Sequence, residues 1–243
     1  MHSLVNKLTQ SPLSEEAMPD KKLLINTLNA NSINVCEVDP LFRDATLRSD
    51  VLLPDGVGAV IAARLLTGKK HRKTSGYDLF QYEMKRMNGK RGKCFFLGST
   101  EKVLELIRQR AEKEFPGVTM ASYSPPYKAE FTTEDNSLMI DAINSFSPDV
   151  LFIGMTAPKQ EKWAAAHFEE INAHHICSIG AVFDFYAGTV KRAPHWMVTS
   201  GLEWFYRLIK EPKRMWRRYI VGNARFIWLL IKAMIRPGQG LTA

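Results

Sequence analysis

One carboxylate in this sequence stands where catalysis at a strand end would need it. Asp55 follows the apolar run Val51–Leu53 and precedes a glycine, in the stretch Pro54-Asp55-Gly56. A carboxylate at the mouth of a cleft can take a proton from a substrate hydroxyl. An Asp before Gly is also a common turn, so the local pattern alone leaves both interpretations open.

A second chemical group is formed by arginines near the end of the chain. These residues are Arg207, Arg214, Arg217, Arg218 and Arg225. Spacings of four and seven place Arg214, Arg218 and Arg225 on one helical face, with Arg217 beside them. We expect Pro212 to break the helix, and Arg207 joins that face only if the break is mild. Basic helix faces are usually just solvated, but this one is interleaved with aromatic residues, and Arg is suited to bidentate phosphate contacts.

Glycines and small residues follow four apolar runs, which is the pattern of ligand-binding strand ends. The four stretches are LLPDG (52–56), FFLGST (95–100), LFIGMTAPKQEKW (151–163) and CSIGAVFDFYAG (177–188). In an open α/β sheet, ligands bind at the carboxyl ends of the strands. Gly98 is followed by Ser99 or Thr100 as a predicted N-cap, and a helix start there suits a phosphate or a sugar carboxylate. Gln160 would face the same cleft from another helix start, although each loop could equally be a simple turn.

Several common cofactor motifs are missing or incomplete. Gly56 and Gly58 resemble the start of GxGxxG, but Ile61 stands at the third glycine, which argues against NAD. The sequence has no CxxC or Cys/His cluster for zinc and no DxD motif; Glu37-Val-Asp39 comes nearest. We therefore predict no cofactor and no metal. The three cysteines are few and far apart, so we expect buried free thiols.

The net charge of +8 comes from the last quarter of the chain. From Thr189 onward there are 11 Lys/Arg and two acids (+9), which leaves 22 Lys/Arg and 23 acids (−1) before it. This asymmetry points to an anionic partner: nucleic acid, an acidic membrane or a phosphorylated substrate. The pattern of an RRM, KH or helix-turn-helix module is absent, so we expect no nucleic acid. Phe226–Ile235 is too short to span a bilayer but long enough to lie in its interface.

Short apolar runs alternate with segments of helical period along most of the chain. The predicted strands are Leu23–Leu28, Val51–Leu53, Lys93–Leu97, Val118–Ser122, Val150–Ile153 and Ile176–Ile179. The predicted helices are Val57–Thr67, Asp78–Met87, Thr100–Phe115, Glu134–Phe146, Pro158–Ile171, Gly201–Lys210 and Pro212–Met234. Alternation of this kind predicts an α/β fold: a largely parallel twisted sheet with helices on both faces, Rossmann-like, plus a helical C-terminal appendage. We expect a loose leader over residues 1–20, a catalytic body over 21–195, and a basic membrane-associating appendage over 196–243.

Long stretches of the chain resemble a known family. The stretches are LLPDGVGAV, IGMTAPKQEKW and SIGAVFDFYAGTVKRAPHWMVTSGLEWFYRLIKEPKRMWRRYIVGN. Together they make the chain similar, from about Leu23 to Asn223, to the WecG/TagA/CpsF family of bacterial glycosyltransferases. The resemblance implies transfer of a sugar from a UDP-sugar to an undecaprenyl-diphosphate-linked acceptor, with inversion and without a metal. The sugar would be of the N-acetylmannosamine, uronic acid or glucose type, and the product a bacterial surface polysaccharide.

The resemblance also assigns roles to individual residues. It implies Asp55 as the general base, and it places Asn29 at a polar position of the first strand-exit segment as a second catalytic residue. The substrate-binding residues would be Lys73, Gly76, Asp78, Gly98, Gln160, Asp184, Arg192, Arg207, Arg214 and Arg217. The family motif R-x-x-G-x-D-L is altered here to Lys73-Thr-Ser-Gly76-Tyr-Asp78-Leu79, so either Lys73 or the preceding Arg72 fills the arginine position.

The expected location follows from the lipid-linked acceptor. The resemblance implies a peripheral enzyme at the cytoplasmic face of the plasma membrane, on an anionic surface, and leaves a homo-oligomer open. Our hypothesis is that the arginines close over the diphosphates while nearby apolar residues rest in the leaflet, namely Phe226, Trp228, Leu229, Leu230 and Ile231. The rival hypotheses are a nucleic-acid-binding module and a scaffold that only binds anionic lipid, neither with catalysis.

Overall fold

The architecture is a single six-stranded parallel sheet wrapped by helices. The computed structural model describes residues 1–10, 13–14 and 18–235. The strands are β1 (Leu23–Leu28), β2 (Val51–Pro54), β3 (Lys93–Gly98), β4 (Thr119–Tyr123), β5 (Val150–Gly154) and β6 (His175–Ser178). Their order across the sheet is β2-β1-β6-β5-β3-β4, and every neighbouring pair is parallel. The predicted α/β fold class is confirmed, and each predicted strand is present to within one residue at either end.

Thirteen α-helices are present in the described part of the chain. They are α1 (His2–Asn6), α2 (Ala30–Cys36), α3 (Pro40–Leu47), α4 (Val57–Thr67), α5 (Gly76–Lys90), α6 (Glu101–Glu114), α7 (Thr133–Phe146), α8 (Lys159–Ala166), α9 (Val182–Ala187), α10 (His195–Thr199), α11 (Glu203–Lys210), α12 (Pro212–Trp216) and α13 (Gly222–Ile235). All seven predicted helical segments contain helix, but the one predicted over Pro158–Ile171 is shorter, since α8 ends at Ala166. The sequence analysis missed α1, α2, α3, α9 and α10, which have only five to eight residues and hence at most about two turns of period.

The sheet is buried on both faces, and its side chains alternate between two helical layers. Phe96 and Phe152 point to the layer formed by α5, α6 and α9. Leu97 and Ile153, one residue further along the same strands, point to the layer that contains α7 and α8. Because both of their faces are covered, the strands other than β4 read as largely apolar runs rather than alternating ones. Strand β4 lies at the edge of the sheet and is only partly buried.

Helix caps fix where several helices begin. Thr100 accepts a hydrogen bond from the amide of Val103 at 3.4 Å, which confirms the N-cap predicted after Gly98. The stretch Ser200-Gly-Leu-Glu203 has the sequence pattern of a capping box and predicts a helix start there, but the box does not form. Helix α11 begins at Glu203 without a side-chain cap, because the Ser200 hydroxyl donates to the carbonyl of Trp196 at 2.7 Å.

The first residues of the chain pack against the body instead of forming a loose leader. Residues His2–Asn6 form α1, and Leu4 and Val5 are fully buried against α2, α3 and α4. Met18 is also buried. The polar composition of residues 1–20 hid these few apolar anchors, whose spacing is too short to show a period. Residues 11, 12 and 15–17 of the predicted leader lie outside the described residues.

The C-terminal helices are interrupted twice. Glu211, in a non-helical conformation, separates α11 from α12, as expected from the proline at position 212. A π-helical turn, Arg217–Val221, then joins α12 to α13. The wider turn changes the helical phase, so Arg214 and Arg225 do not keep the common face that a uniform period predicts.

Helix α13 packs against the body through some of the apolar residues that the leaflet hypothesis places in the membrane. Phe226, Leu229 and Leu230 are buried, and Phe226 and Leu230 join a core with α1, α2 and α4. Of the five residues in the leaflet hypothesis, only Trp228 and Ile231 are exposed. The correction follows from helical geometry, since a ten-residue apolar run covers all sides of a helix and one side must face the protein. Within the described residues, no helix is both long enough and apolar enough to cross a membrane.

The close approach of β5 to α9 gives a test of the core. A Cβ added to Gly154 would lie 2.4 Å from the ring of the buried Phe183. We expect Gly154→Ala to lower the free energy of unfolding by about 1–3 kcal/mol, because the ring or strand must shift. The control is Gly89→Ala in α5, where a Cβ meets no atom within 4 Å and helix propensity favours a gain of up to about 1 kcal/mol. Urea denaturation measures both, and equal stability of Gly154→Ala and wild type would contradict this packing.

Candidate active site

Asn29 and Asp55 stand side by side because they follow two adjacent strands in register. Leu28 pairs with Pro54 in the β1–β2 ladder, and the amide of Asp55 donates to the carbonyl of Leu28 at 2.9 Å. The Asn29 side-chain oxygen caps α2 by accepting from the amide of Ser32 at 3.0 Å. The cap uses the oxygen, which leaves the Asn29 amide nitrogen to donate to Asp55. The structure thus brings together the two residues predicted as catalytic.

The pKa of Asp55 is raised to about 6. Burial of this half-buried carboxyl is the main cause, and the negative charge of Glu203 adds to it. The hydrogen bond from Asn29 and the positive charge of Lys73 act in the opposite direction, and the charge of Asp78 raises the pKa slightly more. A carboxylate with a pKa in this range is largely ionised at neutral pH and is a stronger base than an ordinary Asp.

Lys73, rather than Arg72, faces Asp55. The Lys73 ammonium is half-buried, lies close enough to Asp55 to lower the pKa of that carboxyl, and donates a hydrogen bond to the carbonyl of Val198 in α10. Arg72 is exposed. Of the two residues considered for the arginine position of the altered motif, Lys73 is the one inside the site.

Gly76 and Asp78 shape the start of α5 more than they line a cleft. The amide and hydroxyl of Ser75 each donate to Asp78 Oδ2 at 2.8 Å, which completes a capping box. Gly76 is buried, and a Cβ there would lie 3.4 Å from the carbonyl oxygen of Ile179. Their contacts in the structure are therefore internal, and substrate binding by either residue stays a prediction.

Arg192 connects α5 to α11. Its guanidinium lies 4.4 Å from the Tyr77 ring centre, donates to the Ser75 hydroxyl at 3.5 Å, and approaches Glu203 at 3.8 Å. Its Nε is buried and has no hydrogen-bond partner within the described residues. Since Glu203 also faces Asp55, Arg192 belongs to the surroundings of that carboxylate.

Gly98 lies at the carboxyl end of β3, next to the end of β5. It pairs with Gly154, has a φ of +114°, and a Cβ there would lie 2.8 Å from the Gly154 carbonyl oxygen. The glycine is therefore required by backbone geometry, which Ser99 continues with a φ of +61°. Binding of a ligand at this helix start stays a prediction.

Gln160 is buried at the start of α8 and contacts its neighbour in sequence. Its Nε2 donates to Glu161 Oε1 at 2.9 Å, and both side chains are only 4% exposed. Burial raises the pKa of Glu161 to about 7, against the lowering effect of the Gln160 hydrogen bond. Gln160 thus lies at the carboxyl edge of the sheet, where the strand-end pattern placed it, but beneath the surface.

Arg207 lies close to α9, at the carboxyl end of β6. Its guanidinium carbon lies 5.7 Å from the Phe185 ring centre, and its Nε is buried without a hydrogen-bond partner in the described part of the chain. The neighbouring Asp184 is half-buried, and its carbonyl accepts from Thr189 Oγ1 and from the amide of Val190, both at 3.2 Å.

Arg214 and Arg217 are exposed on the far side of the break at Glu211. Arg214 pairs with Glu211 at 2.8 Å, and its side chain is 67% exposed. Arg217 lies over the Trp216 ring at 5.3 Å. The structure therefore holds Arg207 against the body, whereas Arg214 and Arg217 project from it.

Two acidic residues of the site were not singled out from the sequence. Glu203 approaches Asp55 only after α11 folds back over the sheet edge, a contact that sequence spacing cannot reveal. Glu161 was hidden because a Glu in the first turn is ordinary helix-start composition. Within residues 1–10, 13–14 and 18–235, no group of three or more His, Cys, Asp or Glu side chains is arranged as a metal site.

Comparisons with known proteins show similarity to one family over most of the chain. A family model described as "Glycosyl transferase WecG/TagA/CpsF family" matches residues 3–240. One similar protein is the N-acetylglucosaminyldiphosphoundecaprenol N-acetyl-beta-D-mannosaminyltransferase of Bacillus subtilis (strain 168), 32% identical over 83% of this chain and 77% of the relative. A protein of the same name from Staphylococcus aureus (strain MW2) is 27% identical over 80% of this chain and 75% of its own length.

Proposed function

The chain belongs to the WecG/TagA/CpsF family of glycosyl transferases, and on that premise we propose that it transfers a sugar from a UDP-sugar to a lipid-linked acceptor. The acceptor is an undecaprenyl-diphosphate-linked saccharide, as the names of the Bacillus and Staphylococcus relatives state for those proteins. The sugar is of the N-acetylmannosamine, uronic acid or glucose type. The product belongs to a bacterial surface polysaccharide.

The observation that carries this proposal is the Asp55 carboxylate with its raised pKa. In an inverting transfer, a base removes the proton of the acceptor hydroxyl as that oxygen attacks the anomeric carbon from the side opposite the leaving group. Asp55 is suited to this step, since it lies at a strand end and is mostly ionised at neutral pH. Asn29 holds the carboxylate by its hydrogen bond, and Lys73 balances its charge.

Departure of UDP requires positive charge near the diphosphate. We propose that Arg207 supplies it from the body, that Arg192 assists, and that the exposed Arg214 and Arg217 close over the same group. Guanidinium groups fixed near developing negative charge stabilise a transition state without a metal. The support is positional: Arg207 and Arg192 each keep a buried Nε without a hydrogen-bond partner among the described residues.

The remaining proposed binding residues lie at other strand ends and helix starts. Gly98 and Gln160 would contact the donor at the ends of β3 and β5, and Asp184 would do so from α9. Gly76 and Asp78 would act through the start of α5. In this proposal these residues bind the donor, whereas Asp55 acts on the acceptor.

We further propose that the enzyme works as a peripheral protein at the cytoplasmic face of the plasma membrane. The lipid-linked acceptor requires a membrane, and α13 presents Ile227, Trp228 and Ile231 to solvent beside Lys232. Apolar and basic residues on one exposed surface suit an anionic interface.

The proposal is tested by a donor screen with purified full-length protein. UDP-N-acetylmannosamine, its uronic acid and UDP-glucose are offered with a lipid-diphosphate acceptor in vesicles containing anionic lipid, with and without EDTA. We expect transfer from one donor, equal rates with EDTA, and an inverted anomeric centre by NMR. Loss of all activity in EDTA would contradict the metal-free mechanism, and binding of vesicles or nucleic acid without any transfer would support the non-catalytic alternatives.

A further inference from the structure

Glu161 is a buried acid for which the proposed reaction has no direct use. It lies in the first turn of α8, is 4% exposed, and accepts a 2.9 Å hydrogen bond from Nε2 of Gln160. Its other oxygen, Oε2, is buried and has no hydrogen-bond partner in the part of the chain that the structure describes. A carboxyl in this position is unfavourable for folding, so its presence calls for a functional reason.

Gln160 also carries an unused buried atom. Its Oε1 has no hydrogen-bond partner within the described residues, although the side chain is as buried as that of Glu161. A Cβ placed on Gly180 would lie 3.5 Å from Gln160 Nε2 and 3.6 Å from its Oε1. Gly180 follows β6, so the Gln160 amide lies at the carboxyl edge of the sheet, next to a residue that has no side chain.

The contact with Glu161 decides which way the Gln160 amide is turned. A carboxamide is nearly symmetrical in shape, so packing alone does not distinguish its oxygen from its nitrogen. The 2.9 Å contact joins Gln160 Nε2 to Glu161 Oε1, so the NH₂ group is the end that turns toward Glu161, as suits a carboxylate oxygen that accepts hydrogen bonds. The carbonyl oxygen is then the end that remains available as an acceptor.

We propose that Glu161 is a positioning residue of the donor site, which orients Gln160 so that its amide oxygen accepts a hydrogen bond from an N–H or O–H of the bound nucleotide sugar. The inference rests on the proposed function, since it assumes a donor at the carboxyl ends of β5 and β6. Glu161 itself contacts no substrate. Its effect passes entirely through Gln160.

The test compares five variants of the full-length protein: Glu161→Met, Glu161→Gln, Gln160→Ala, the double variant Gln160→Ala/Glu161→Met, and Lys162→Met. Lys162 lies on the same helix as Glu161 and pairs with Asp39 at the start of α3, so Lys162→Met controls for loss of a charged neighbour. KM for the donor and kcat are measured at saturating acceptor, calorimetry follows binding of the same UDP-sugar, and thermal unfolding monitors the fold.

We expect Glu161→Met to raise the donor KM about tenfold, the size expected for one misplaced hydrogen bond to a substrate, with kcat changed less. Glu161→Gln keeps an acceptor for Gln160 and should restore KM to within about threefold of wild type. Gln160→Ala should match Glu161→Met, and adding Glu161→Met to Gln160→Ala should change little more, because coupled residues are not additive. Lys162→Met should resemble wild type.

The inference is overturned if the losses of Gln160→Ala and Glu161→Met multiply, or if Glu161→Gln is no better than Glu161→Met. Glu161→Leu replaces Glu161→Met should that variant fail to fold. A wild-type protein that transfers no sugar from any donor would instead refute the proposed function. A wild-type protein that transfers sugar while the variants disobey this pattern would refute the role of Glu161 alone.

Discussion

Asp55→Asn is expected to lower kcat for sugar transfer by about 10³–10⁴-fold, the range in which loss of a general base falls. The amide keeps the shape of the side chain but cannot accept the proton of the acceptor hydroxyl. Asp44→Asn, an exposed acid on α3, is the matched control and should retain full activity. Radiolabelled or mass-detected product formation at saturating substrates measures both variants.

The same substitution should stabilise the protein at neutral pH. The folded-state pKa of about 6 lies above the usual Asp value, so the folded protein holds this proton more tightly than the unfolded chain does. Ionisation of Asp55 therefore destabilises the fold, and this effect grows as the pH rises from about 4 to about 6. At pH 7.5 we expect Asp55→Asn to gain on the order of 2 kcal/mol in free energy of unfolding, and at pH 4 nothing.

The pH dependence of the wild-type enzyme completes this prediction. The logarithm of kcat/KM should rise with pH up to about 6 and level off above it, because only ionised Asp55 is active. An Asp55→Asn enzyme with activity within tenfold of wild type would show that another group is the base. An inactive variant that is less stable than wild type at pH 7.5 would show that burial does not strain this carboxyl.

Arg207→Ala is expected to lower kcat/KM by roughly 10²–10³-fold, the loss typical of removing one preorganised charge from a transition state. Arg207→Lys should recover no more than about tenfold of this, since an ammonium keeps the charge but not the paired hydrogen bonds of guanidinium. The stability of both variants should stay near that of wild type, because the Nε of Arg207 has no hydrogen-bond partner among the residues that the structure describes.

The control for Arg207 is Arg225→Ala, which removes an exposed arginine from α13 of the same C-terminal segment. It changes the net charge equally but lies outside the proposed diphosphate site, so we expect kcat/KM within about threefold of wild type. Equal losses at both positions would mean that the general positive charge of the segment matters, and not the position of Arg207 near α9.

Sequence information was sufficient for most of the sheet because five of its six strands are largely buried on both faces, whereas the edge strand β4 is only partly buried. Runs such as Val150–Gly154 contain little but apolar residues, and glycine or proline marks their ends. Helix α4 was predicted to the residue for a related reason, with Gly56 before it and Gly68 after it. The five missed helices are too short for their period to be seen, and α1 looked like a polar leader.

The candidate site was predictable where it depends on strand ends and not where it depends on the fold of the C-terminal segment. Asn29 and Asp55 come together because β1 and β2 are neighbours in register. The approach of Glu203 to Asp55 depends on how α11 crosses the sheet edge, and the exposure of α13 depends on which side packs on α2. Neither follows from local pattern, since both are decided by long-range packing.

The low reactivity of its three native cysteines makes this chain suitable for labelling at a single introduced cysteine. Cys36, Cys94 and Cys177 are buried and unpaired, and burial raises the pKa of each thiol, that of Cys36 to about 11. Thiolate is the reactive form, so the native cysteines are poor targets for alkylating reagents. A single cysteine introduced on the exposed side of α13 therefore carries a fluorophore or spin label in the otherwise unaltered chain, and the depth of that side at a lipid surface becomes directly readable.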